Sequence, residues 1–126
     1  MGYSLAKLLV DGKFCDPAQL MSLNGLQPKG FPAAFSFAAV SFAVPIDEAL
    51  TAYLWSWLEN QVIAAVKLAP LGQVAAQAML FELGQTIPGV VEQALTLDDD
   101  DLCNFTPGLA ILSAQHETQY SRLFRS

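Results

Sequence analysis

Apolar positions along the chain recur at three- and four-residue steps, and Pro and Gly cut them into helix-length pieces. Residues 3–10 read as the end of a helix closed at Asp11-Gly12. Asp16-Pro17 is a start signal: a side-chain acceptor at the cap, then a proline whose missing N–H costs nothing in the first turn. That helix ends near Asn24-Gly25, and residues 26–31 (LQPKGF) form a loop. Pro32 opens the next helix, which ends before Pro45. Its Phe35, Phe37 and Phe42, with Ala33, Ala34, Ala38 and Ala39, leave almost no polar face, so this helix is expected to be covered all round.

Asp47 begins the longest segment, which runs through Leu68. Glu48 falls in its first turn and Lys67 in its last, which suits the helix dipole at both ends. Ser56, Asn60, Ala64 and Lys67 recur on one narrow stripe of an otherwise apolar surface. Pro70 stops or kinks this helix. Further helices are predicted from about Leu71 to Leu83, from Thr86 to Leu97 with Pro88 in the first turn, and from Thr106-Pro107 through at least Ala114. Asp98–Asp101 reads as a solvated turn. No alternating strand pattern of useful length occurs. The expected class is all-α: a compact multi-helix bundle forming a single domain over 1–126, with six or seven short helices and one long central helix.

Composition narrows the function. Of 126 residues, 53% are hydrophobic and 14% charged, with a net charge of −6. Disorder needs the opposite balance, and nucleic-acid binding needs a basic face that six basic residues do not supply. The longest uncharged stretch, Gly30 to Ile46, contains Pro32 and Pro45 and falls short of the about 20 apolar residues a span requires. It is therefore expected to be a buried helix, with no membrane association. No secretory signal is present, so Cys15 and Cys103 read as reduced thiols of a cytoplasmic protein. The chain starts in mid-helix, and its apolar content exceeds what this length comfortably hides. The expectation is a fragment of a larger protein, or a subunit that buries much surface in partners.

Catalytic chemistry is absent from the pattern. His116 is the one histidine, and no His/Cys/Asp/Glu group has metal-ligand spacing. Asp98–Asp101 lacks the Gly and distal Glu of a calcium loop. No phosphate loop and no framed nucleophile occur. The expectation is a non-enzyme without a cofactor.

Two segments stand out. In Val66-Lys67-Leu68-Ala69-Pro70-Leu71-Gly72-Gln73, a lysine closes an apolar helix before a Pro-Gly break. Two readings stand: Lys67 bonds the orphan carbonyls of the helix end, or the break presents Lys67 and Gln73 as a polar contact for an acidic partner. The second segment is the C-terminus. Thr118 to Ser126 carries no acid, and two arginines alternate with Tyr120, Leu123 and Phe124. If helical, His116, Tyr120, Leu123 and Phe124 line one side. Arg and Tyr are enriched in binding hot spots. The alternatives are a frayed tail or one folded back on Asp98–Asp101.

VKLAPLGQVAAQ at 66–77, with Trp55 to Asn60 before it, Thr106-Pro107 after it and SAQHETQYSRLFRS at 113–126, closely resembles UreF-type urease accessory proteins. Ala65 stands where a Gly is frequent, and Leu71 where Phe is common. The resemblance covers the whole chain but only the C-terminal portion of such a larger UreF-like domain. It implies an all-α cytoplasmic protein, commonly a homodimer at full length, with no reaction of its own. It also implies a role in nickel insertion, bridging apourease bound to a UreD/UreH-like scaffold protein and the UreG-like GTPase that carries the metal. A role in regulating that GTPase is implied as well. Lys67 and Gln73 fall on the segment implicated in meeting the GTPase. His116, Glu117, Tyr120, Arg122, Leu123, Phe124 and Arg125 fall on the part that docks into UreD/UreH, which makes 115–126 a docking tail. A different class of function remains beside this one: a helical bundle enclosing a small apolar ligand, suggested by the Phe-rich stretch 35–42.

Overall fold

The computed structural model describes residues 2–25, 30–69, 71–103 and 106–120. They form seven α-helices: α1 (Gly2–Asp11), α2 (Pro17–Gly25), α3 (Phe31–Ser41), α4 (Ile46–Leu68), α5 (Gln73–Gly84), α6 (Ile87–Ala94) and α7 (Pro107–Glu117). Asp99–Asp101 adds one 3-10 turn, and no strand occurs among the described residues. The all-α class and the single long helix are as the sequence predicts. None of the described helices is long and apolar enough to cross a membrane. The contacts divide the chain into two units, Met1–Ser56 and Trp57–Ser126.

The first unit is built on the seam where α1 and α3 pack, with α2 against α3. Gly2, Ala6 and Leu9 are buried at helical spacing on α1. Leu23 of α2 joins Ala6 and Leu9, and Cys15, Phe37 and Ala38 pack around them. Leu9 and Leu23 are each only 1% exposed. The small side chains Ala6 and Ala38 keep the seam narrow.

Local chemistry sets the helix ends. Asp16 and Gln19 form a reciprocal capping box at the start of α2. The Gln19 amide donates to Asp16 Oδ1 at 2.8 Å, and the Asp16 amide donates to Gln19 Oε1 at 2.9 Å. Two left-handed residues close α1 and α3, Lys13 at φ 55° and Ala43 at φ 52°. Each sits in a Schellman motif. The amides of Lys13 and Phe14 donate to the carbonyls of Val10 and Leu9, and those of Ala43 and Val44 to Val40 and Ala39. The two turns are linked by rings: Phe14, just after Lys13, stands edge-on to Phe42, just before Ala43, with centroids 5.7 Å apart. Phe14 also lies over Gly12, where a Cβ would come within 2.2 Å of its ring. Only glycine leaves that ring its place. On the outer side of α1, Lys7 Nζ reaches Asp11 Oδ2 at 2.6 Å. The hydrogen bond, and then the charge, of Asp11 raises the Lys7 ammonium above its ordinary pKa. Both groups are exposed, so the pair contributes little to stability.

In the second unit, three helices each bury one pair four residues apart: Leu58 and Val62, Ala76 and Leu80, Ile87 and Val91. The spacing places each pair on one helical face. Helix α6 ends at Ala94 rather than at Leu97. The turn tightens there, because the Thr96 and Leu97 amides reach back only three residues and Thr96 Oγ1 donates to the Gln93 carbonyl at 2.7 Å.

The structure also corrects the expectation for α3. Helix α3 is not covered all round: Ala34 is its only fully buried residue, and Val40 is 75% exposed. Its seam with α1 takes one face, and the other remains open. The stretch from Gly30 to Ile46 is thus a half-covered helix and a turn rather than a buried helix.

Lys13→Gly and Ala43→Gly should each stabilise the chain by about 0.5–1 kcal/mol, since a left-handed Cβ costs about 1–2 kcal/mol. Gly12→Ala should destabilise it by about 1 kcal/mol, the worth of the displaced Phe14–Phe42 contact. Leu9→Ala should cost about 3 kcal/mol. Urea denaturation followed by circular dichroism at 222 nm checks all four, and an unchanged midpoint for Gly12→Ala would remove Phe14 from the account.

Candidate functional site

The Lys67 segment keeps its sequence-predicted frame. Lys67 is exposed in the last turn of α4. The Ala69 amide still bonds the Ala65 carbonyl, and then the chain breaks. Gly72, in an extended conformation, is the N-cap of α5, and its carbonyl accepts the Ala76 amide at 3.0 Å. Gln73 is exposed as the first helical residue. Lys67 and Gln73 therefore flank one helix–helix break, with Leu71 half-buried between them. Lys67 is not without a partner within the chain, and neither are Ser56 and Asn60 of the polar stripe.

Helix α7 runs past Ala114, as the sequence predicts, and stops at Glu117, so the condition for His116 and Tyr120 to share one helical face is not met. The stop is made by the side chains that follow. The amides of Thr118 and Gln119 turn back to the carbonyls of Gln115 and His116, and Thr118 Oγ1 donates to Gln115 at 3.1 Å. His116 Nδ1 pairs with Gln119 Oε1 at 2.6 Å, latching the turn. Tyr120 beyond it is fully exposed. Arg122, Leu123, Phe124 and Arg125 lie outside the described residues.

Helix α7 is itself the feature that sequence reasoning missed. Leu109, Ile111 and Leu112 stand 64%, 59% and 64% exposed, and no described side chain of the helix is buried. Its aliphatic character was visible in the sequence, and its lack of cover was not. A second apolar surface is a groove of about 380 Å³ between α3 and the first turns of α4. Phe35, Val40, Val44, Ile46, Leu50 and Tyr53 line it. A ring cluster forms one wall: Phe31 stacks on Tyr53 at 5.9 Å, and Phe35 meets Tyr53 edge-on at 5.3 Å. The Phe-rich helix signalled the groove, whereas Tyr53 comes from the next helix.

No polar or charged residue is among the buried ones described. No three His, Cys, Asp or Glu side chains among the described residues are grouped to hold a metal ion. Cys15 and Cys103 are free thiols, with Cys15 Sγ 4.0 Å from Ser41 Oγ. Among the described residues the conspicuous features are apolar surfaces, the face of α7 and the groove beside α3.

The family model for UreF matches residues 1–84. This chain belongs to the UreF family. A "Urease accessory protein UreF" of Azoarcus sp. (strain BH72) is 53% identical over the whole chain, which covers 55% of that relative. Those of Cupriavidus metallidurans and Methylobacillus flagellatus are 49% and 45% identical, again over the whole chain and 56% of each relative. The chain thus spans about half the length of the UreF relatives it matches.

Leu109→Ser combined with Leu112→Ser should lower the binding of a hydrophobic-surface dye. It should change stability by no more than about 0.5 kcal/mol, as exposed positions do. Leu80→Ala, at a buried position, should cost about 2–5 kcal/mol, both changes being read by urea denaturation. Equal losses from the two variants would mean that α7 is packed in solution.

Proposed function

We propose that this chain serves urease maturation in the cytoplasm as a non-enzymatic accessory scaffold. Nickel is the cargo of that process, not a resident cofactor. The 126 residues act as part of a larger UreF-like domain that is dimeric at full length. The observation that carries the reading is the bare apolar face of α7, leading into an aromatic-basic tail on a UreF-family chain. A helix face of this kind gains free energy only when something covers it.

In this reading the tail from 115 to 126 docks a UreD/UreH-like protein that holds the urease apoprotein. His116 and Glu117 close the helix, Tyr120, Leu123 and Phe124 supply apolar anchors, and Arg122 and Arg125 supply charge-assisted hydrogen bonds. Lys67 and Gln73, at the break between α4 and α5, meet a UreG-like GTPase. The chain then acts by holding its partners within reach of each other, so that the metal passes between proteins already bound.

Arg122→Ala with Phe124→Ala should abolish pull-down of the UreD/UreH-like protein. Retained binding would take the tail out of the mechanism. Lys67→Ala should weaken the GTPase complex by about tenfold, the loss of roughly 1.4 kcal/mol expected for a charged contact, with helicity unchanged. Lost helicity would instead assign Lys67 to closing α4. GTP hydrolysis by the partner, measured with and without this chain, separates passive bridging from regulation.

The groove beside α3 supports a second reading, an apolar ligand site, because its volume falls in the range of small-molecule pockets. Native mass spectrometry of the purified chain should then find a bound lipid-like mass that Val40→Arg removes. A bare chain mass would end this reading.

A further inference from the structure

We draw no further inference here: the strongest candidate, the apolar groove between α3 and the first turns of α4 lined by Phe35, Val40 and Ile46, already carries the second reading above, and nothing in the structure shows what else covers it.

Discussion

The close approach of α1 to α3 is the constraint from which the first unit follows. Ala6 and Ala38 are small enough to let two short helices meet, and Leu9 and Leu23 fill what remains. Neither helix is long enough to be stable by itself. Their ends must therefore be fixed as firmly as their faces, and two left-handed turns at Lys13 and Ala43 do this. Those turns bring Phe14 and Phe42 together, and Gly12 leaves the ring its space. Once α3 has given one face to this seam, its other face is left to form the groove with α4.

Most of the fold was legible from punctuation. Asp16-Pro17, Pro32 and Pro107 placed helix starts, because a proline in the first turn loses no hydrogen bond. Asp47, Glu48 and Lys67 placed the two ends of α4. The left-handed turns were less legible, because neither carries the usual glycine: Gly12 is one residue early, held there by a ring. Cover was the least legible property. An apolar helix in sequence says that burial is favourable, but not that the same chain supplies it. Helix α3 read as a candidate for burial and is half open, and α7 has no described side chain buried.

The candidate site divides in the same way. Lys67 and Gln73 stand on either side of the break that the Pro-Gly pair required, so local chemistry sufficed to place them. The tail face depended on helical spacing continuing beyond Glu117, and the turn at Thr118 and Gln119 does not continue it. The Thr118 hydroxyl bonds back to the Gln115 carbonyl and His116 pairs with Gln119, local polar contacts that compete with the helix at its end.

The bareness of α7 carries a thermodynamic consequence. A helix of 11 residues is below the about 12–15 at which isolated helices hold together in water, and here no described side chain of it is sheltered. It sits at the low end of the local opening free energies within its unit. A protein that captures it must supply the ordering free energy out of its own binding, which lowers affinity relative to the area buried. A contact made on α7 is therefore weaker than the apolar area it covers would suggest, and correspondingly quicker to release.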